Sequence, residues 1–291
     1  MAEAERSLPR SPAVAVAESE ASAERSRARR AWRARIRNVL YPVGVVLGVL
    51  VIWEAGTRLL EVPAFLLPPP SAVAVSFIAN APLLLFHGWI TTAEILLGFA
   101  LSIVVGIPLA LAIFLWPTFS RSVLPLLVSS QAMPKVAVAP LFLVWFGFGL
   151  LPKVLIAFLI AFFPVVISTA VGLASIEPEK IYLARSMGFG ATATFFKFRL
   201  PNALPSIFGG LKISITLAVV GAVVGEFVGG DAGLGYLLMV ANGSMDTRLL
   251  FAGIVALTVL GVVLFLLVEL AERLAIPRHI IAGDRGVHET A

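Results

Sequence analysis

The sequence predicts an all-α membrane protein with six transmembrane helices. Three observations carry that prediction: an excess of apolar residues, their arrangement in long blocks, and a one-sided distribution of lysine and arginine. Of 291 residues, 59% are hydrophobic and 13% charged, with a mean hydropathy of +0.98. A soluble domain carries about a quarter charged residues, so this chain could not cover its own surface with polar groups in water.

A helix needs about 20 apolar residues to cross roughly 30 Å of hydrocarbon. Six segments qualify, at about 39–60, 90–115, 122–147, 152–174, 206–228 and 249–271, within a membrane domain of 38–277. Residues 1–37 are of another kind: Ala, Glu, Ser and Arg without hydrophobic periodicity, ending in the basic run RSRARRAWRARIR. Too little apolar surface is present there to offset the entropy of ordering, which predicts a disordered tail whose basic end lies against anionic headgroups. The segment behind it is long enough to span, which argues against a cleaved signal peptide.

Lysine and arginine set the orientation. With both termini in the cytoplasm, seventeen of them fall inside: nine in the N-terminal tail, Arg121, four in the 175–205 loop, and Arg273, Arg278 and Arg285 at the C-terminal end. Arg58, Lys153 and Arg248 fall outside, and Lys135 and Lys212 lie within spans. The same imbalance accounts for the net charge of +5 without any nucleic acid. The chain has no cysteine, and His87, His279 and His288 are too scattered for a metal cluster. No GxxxxGK[ST], HExxH or GxSxG pattern occurs, so the sequence predicts no ATP hydrolysis, no catalytic residues and no metal on this chain.

The spans carry their own signals. Gly44 and Gly48, then Gly221, Gly225 and Gly229, are small residues four apart that let helices approach closely. In the third span Pro125, Pro134 and Pro140 each remove a backbone donor, so that helix should be kinked or broken. Broken backbone at membrane depth is tolerated against protein or a water-filled cavity, which makes this span the candidate wall of a pathway. Lys135, about 13 residues into it and so ~20 Å deep, could attract an anion or make a structural contact. Gln131, Pro134 and Trp145 are candidate lining residues beside it. Glu226, at the outer end of the fifth span, is a candidate path or gate residue with Gly229, Gly230, Gly233 and Gly235 after it. Glu94 stands near the outer end of the second span.

The loop 175–205 is too long and too patterned for a simple connector: SIEPEKIYLARSMGFGATATFFKFRLPNALP. Pro178 suits the first turn of a helix, with Glu177 and Glu179 at its positive end. Gly188 and Gly190 permit a sharp turn, and 191–199 can form a second short helix with three phenylalanines. The result is a helix–turn–helix elbow at the membrane surface, which by its chemistry alone could dock a protein or dip into lipid.

The elbow resembles the coupling loop of bacterial ABC importer permeases. That family's signature is Glu-Ala-Ala, then Gly, then Ile-x-Leu-Pro beginning ten residues later. Ala184, Gly188 and Leu200–Pro201 match, whereas Tyr182, Leu183 and Phe198 stand where the signature has Glu, Ala and Ile. FLLPPPSAV (65–73), SQAMPKVAVAPLFLVWFGFG (130–149) and GEFVGGDAGLGYLL (225–238) resemble the nitrate/sulfonate/taurine branch of the same family. The resemblance implies the type I importer fold and a place in the bacterial inner membrane. It also implies a second permease copy as a homodimer, ABC ATPase subunits that hold ATP and Mg2+, and an extracytoplasmic substrate-binding protein. Tyr182, Ala184, Arg185, Gly188, Phe195, Leu200 and Pro201 would then face or shape the ATPase contact. The rival reading is an ion-coupled secondary transporter using Lys135, Glu94 and Glu226, which should show two repeated halves with matched broken helices. Only one broken helix and no repeat are visible.

Overall fold

The computed structural model describes residues 40–276, all of whose regular structure is helical. The expected basic tail, 1–37, and the whole C-terminal tail, 278–291, lie outside the described residues. The chain divides into two units, Met1–Pro63 and Ala64–Ala291.

In the first unit, helix α1 spans Leu40–Leu59. Its end is closed without glycine. Glu61 takes φ 48°, the Glu61 N–H returns to the Arg58 carbonyl at 3.4 Å and the Val62 N–H to the Thr57 carbonyl at 3.0 Å. That is the paired closure that satisfies the last free carbonyls of a helix. A Cβ at Gly44 or Gly48 would meet nothing within 4 Å, so this pair mediates no close helix approach among the described residues.

The second unit begins with the short helix α2, Pro70–Ala79, started by the proline run that stops any preceding helix. Helix α3, Ala81–Leu115, is 35 residues long and contains the apolar segment 90–115 with nine residues ahead of it. Helices α4 (Pro117–Gln131) and α5 (Lys135–Phe146) meet at 96° across a break of three residues. Of the three prolines in this region, Pro134 makes the break. Pro125 and Pro140 lie inside helices, whereas Pro134 disfavours helical backbone at the residue before it and precedes the first turn of α5. Helix α6, Leu150–Ala174, leads into the elbow. Helix α7, Pro178–Ser186, is followed by α8, Ala191–Thr194, and a five-residue π-helical stretch, Phe195–Arg199. The second arm of the elbow therefore runs without interruption into α9, Leu200–Gly229. Helices α10, Leu234–Gly243, and α11, Thr247–Ala275, complete the unit. Among the described residues five helices are long and apolar enough to cross a membrane, or six if α4 and α5 form one bent span.

Helices α3, α6 and α9 form the core, and glycine lets their backbones meet. A Cβ on Gly221 would lie 2.5 Å from the Ala157 Cα, and one on Gly210 would lie 2.5 Å from the Ser168 Cβ. Between α3 and α6, a Cβ on Gly98 would lie 2.6 Å from the Ala157 Cβ. In hydrocarbon close packing rather than water exclusion holds helices together, and these glycines allow it. Around them Ile95, Ala157, Ala161, Ile215, Ala218 and Ala222 are buried in one cluster. Near the elbow end, Lys212 of α9 pairs with Glu272 of α11 at 2.7 Å.

Candidate functional site

The elbow is shaped by Ala184 and Gly188. Helix α7 starts at Pro178, and its last carbonyls are closed by Gly188, whose N–H bonds the Arg185 carbonyl at 2.9 Å, and by Phe189, whose N–H bonds the Ala184 carbonyl at 3.1 Å. This closure requires left-handed backbone at Gly188, where φ is +81°, a conformation that costs a residue with a Cβ about 1–2 kcal/mol. Ala184 is 1% exposed, so a larger side chain there would displace its neighbours. The Phe189 ring packs edge-on against Phe198 and lies under the Lys197 ammonium, 5.0 Å from the ring centroid. Arg199 donates to the Leu173 carbonyl at 3.2 Å and stacks over Phe114, and Asn202 donates to the Ser175 hydroxyl at 3.2 Å. These bonds fix the elbow to the ends of α6 and α3. Tyr182, Leu183, Arg185 and Met187 project outward from α7, and Phe196 projects from the second arm. Phe195, Leu200 and Pro201 are half-buried where the elbow enters α9.

The sequence-predicted path residues divide into two sets. Gln131, Pro134, Lys135 and Trp145 lie on the surface of α4 and α5 at and beyond the break. Lys135 donates to the Gln131 side chain across the break, while Trp145 is 60% exposed and packs edge-on against Phe142 and Phe146. The rest of this unit leaves that polar and aromatic face uncovered. Glu226 is elsewhere: it is 1% exposed and belongs to a polar cluster in the core, so the structure does not bring Lys135 and Glu226 together.

That cluster is a clamp on the first turn of α10. His87, Thr91 and Glu94, spaced i, i+4 and i+7, line one face of α3. Lys153 comes from the first turn of α6 and Glu226 from the last turn of α9. The start of α10 leaves backbone N–H groups without intrahelical partners, and remote side chains take them. The Gly233 N–H donates to His87 Nδ1 at 3.0 Å, the Leu234 N–H to the Thr91 hydroxyl at 2.8 Å, and the Gly235 N–H to Glu226 Oε2. Because His87 Nδ1 accepts from an amide, the imidazole proton sits on Nε2. The Thr91 hydroxyl in turn donates to Glu226 Oε1 at 2.6 Å. Lys153 donates to Glu94 Oε1 at 2.9 Å and reaches Asp231 Oδ1 at 3.5 Å and the Ala232 carbonyl at 3.4 Å.

The glycines of the loop are dictated by this clamp. Gly233 has φ +118° and lies against the Glu226 carboxylate, and a Cβ on Gly235 would be 2.6 Å from Glu226 Oε2. Gly230 lies under the Glu226 carbonyl, whereas Gly229 faces Leu143 of α5. Asp231 points outward with 88% of its side chain exposed. Its own backbone N–H first, and then the Lys153 charge, hold its carboxyl below the ordinary carboxylate range.

Sequence reasoning counted Lys153 as an outside charge at the start of the fourth span, and did not join it to Glu94. The available signal was the spacing of His87, Thr91 and Glu94, three polar residues on one face of an otherwise apolar helix.

Residues 98–278 match the family described as the binding-protein-dependent transport system inner membrane component. The chain belongs to this family. Relatives include the formylaminopyrimidine transport permease of Halalkalibacterium halodurans, 38% identical over 84% of this chain and 97% of that protein. The riboflavin transport system permease of Chloroflexus aurantiacus is 40% identical over 81% and 88%. The putative aliphatic sulfonates transport permease of Bacillus subtilis is 34% identical over 94% and 95%. An inward-facing structure of the MetNI methionine ABC transporter contains a chain of similar fold, with a TM-score of 0.60 and 19% identity. The likeness covers 68% of this chain and 99% of that one. The protein is thus a membrane-spanning ABC importer permease subunit.

Proposed function

We propose that this permease forms the translocation path for a small anionic or heterocyclic solute of the nitrate, sulfonate and taurine sort. It would work as a homodimer in the bacterial inner membrane, with both termini cytoplasmic. An extracytoplasmic binding protein delivers the solute. Separate ATPase subunits, which hold ATP and Mg2+, drive it through the elbow at 177–199. The observation that carries this reading is the division of labour in the elbow. The signature matches Ala184 and Gly188 are buried or conformationally constrained, and Tyr182, Leu183, Arg185 and Met187 are left exposed around them. A rigid turn presenting an apolar and basic outer face suits force transmission to a docked protein, with closure of the ATPases rocking the spans between two states.

The uncovered face of α4 and α5 supports a path between two copies, since Lys135 and Gln131 would be costly against lipid and useful against a hydrated cavity. Lys135 would favour anions, and the relatives are named for the transport of aliphatic sulfonates, formylaminopyrimidine and riboflavin. The ion-coupled alternative needs Lys135, Glu94 and Glu226 to act as one relay. Lys135 bonds to Gln131 instead, and Lys153 takes Glu94. Affinity purification of the tagged chain from its own cells tests the reading. An ATPase subunit should co-purify and uptake should stop on ATP depletion. Uptake that persists without ATP and collapses with the proton gradient would sink it.

A further inference from the structure

The clamp contains more acid than its single base can balance. Glu94, Glu226 and Lys153 are 0%, 1% and 3% exposed, whereas the Asp231 carboxylate is solvated at the surface. If both buried carboxyl groups were ionised, one negative charge would be left without a counter-charge. Such a charge costs several kcal/mol even after relaxation, and taking up a proton is the usual way out.

The hydrogen bonds show where a proton fits. Both oxygens of Glu226 accept, one from the Thr91 hydroxyl and one from the Gly235 N–H. It also stands at the positive end of the ten-residue helix α10, an environment built for a carboxylate. Glu94 differs: Oε1 accepts from Lys153, but Oε2 is fully buried and no donor reaches it. Thr91, one turn before Glu94 on the same face of α3, holds the Glu226 carboxyl at this site, so a hydrogen bond between the two carboxyl groups is the one left open to Glu94 Oε2. Two carboxyl groups can share such a bond only when one of them carries the hydrogen. The groups around Glu94 are His87 and Thr91 on its own helix, Lys153 on α6, Glu226 on α9 and Asp231 in the loop. None of them supplies a second buried positive charge, since His87 accepts at Nδ1. Among the described residues no three His, Cys, Asp or Glu side chains converge as a metal site would require.

We propose that the clamp is a proton-binding site, with one proton carried on Oε2 of Glu94 and shared with the ionised Glu226. Lys153 and Glu226 then neutralise one another, and the protonated Glu94 bridges them. Loss of the proton leaves Glu94 and Glu226 as two buried carboxylates with one lysine between them, and their repulsion pushes Glu226 away from the first turn of α10. The bonds to Gly233, Leu234 and Gly235 then loosen, coupling the hold on this loop to proton activity.

Infrared spectroscopy of the full chain in lipid nanodiscs tests this by counting charges. At neutral pH the wild type should show the C=O stretch of one protonated carboxyl group, which shifts in heavy water. Glu94→Gln removes the group that carries the hydrogen, and Glu226→Gln removes the excess negative charge. Both variants are close to isosteric and both should lose the band, with their folding checked by gel filtration. Lys153→Met should double the band; if it does not fold, the two glutamine variants decide. A wild type without the band at neutral pH, or a band that survives in both glutamine variants, would overturn the proposal. So would a missing band together with thermal stability that rises in sodium but not choline chloride, which would assign the site to a monovalent cation.

Discussion

The elbow and the clamp lie at opposite ends of the same two helices. The elbow joins the end of α6 to the start of α9, and the clamp joins the start of α6 to the end of α9. Both solve one physical problem, the unpaired backbone groups at a helix terminus. They solve it at different ranges. In the elbow, Gly188 and Phe189 close α7 within five residues of chain. In the clamp, the N–H groups of Gly233 and Leu234 find partners 146 and 143 residues away, and the Thr91 hydroxyl reaches Glu226 across 135. A short-range closure can be damaged without unfolding the bundle, whereas a long-range one ties three core helices together and fails with them.

The largest effect should therefore come from the clamp. Lys153→Met leaves Glu226 buried without its counter-charge, so that it must take up a second proton or stay unpaired, and breaking such a pair costs on the order of 3–5 kcal/mol. A steep loss of folded protein in detergent, measured by fluorescence-detected gel filtration across a temperature series, is the expected result. Wild-type thermal behaviour would show that Lys153 is not needed to balance the buried carboxylates. Next in size is Thr91→Val, which keeps the shape but strands the Leu234 N–H and one Glu226 oxygen. An unsatisfied buried polar group costs about 1–3 kcal/mol, so a lower unfolding midpoint with normal assembly is expected. A midpoint equal to that of the wild type would mean that water replaces the hydroxyl.

Gly188→Val should have a smaller effect on stability and a larger one on coupling. A β-branched residue in left-handed backbone costs about 1–2 kcal/mol, and the strain is relieved by opening the α7 turn. The expected outcome is folded permease that still binds its ATPase but no longer couples hydrolysis to uptake. Normal transport would disprove the role given to the turn.

The comparison explains what could be read in advance. Pro178, Gly188 and the Leu200–Pro201 pair announce the elbow because a helix start, a left-handed cap and a helix entry are signals of adjacent residues. The break at Pro134 was legible for the same reason, although which of the three prolines would make it was not. Gly221 and Gly225 were visible as close-packing residues, but a spacing of four cannot name the facing helix, here α6 through Ala157 and Lys153. Lys153 was the least legible. In sequence it follows a proline at the outer end of the fourth span, beside a short connection, and counts as an outside charge. Only the packing of α3 against α6 puts Glu94 within 2.9 Å of it. Gly44 and Gly48 carry the same pattern as the core glycines, yet a Cβ on either would meet nothing within 4 Å among the described residues, since close approach depends on a neighbour that local sequence does not specify.

On the elbow itself, Tyr182→Glu restores the residue of the family signature at a site that is 66% exposed. An exposed substitution of this kind moves stability by no more than about 0.5 kcal/mol, so any change in ATPase stimulation would report on the proposed docking contact. Weaker stimulation is expected, because the apolar outer face of Tyr182, Leu183 and Met187 would gain a charge its partner does not anticipate. Stronger stimulation would show that the docking groove still prefers the acid.

The smallest effect belongs to Asp231, the one clamp residue that water reaches. Its carboxyl binds a proton less readily in the folded chain than in the unfolded one, so its contribution is present above the ordinary carboxylate range and disappears as the pH falls through the folded value. Exposure of 88% of the side chain means that solvent screens most of the attraction to Lys153, and a surface pair of this sort is worth little. Asp231→Asn should leave the unfolding midpoint at neutral pH nearly where it was and flatten only its decline in acid. A large loss at neutral pH would show that Lys153 depends on Asp231 as well as on Glu94. The boundary of the clamp would then lie at the protein surface rather than inside it.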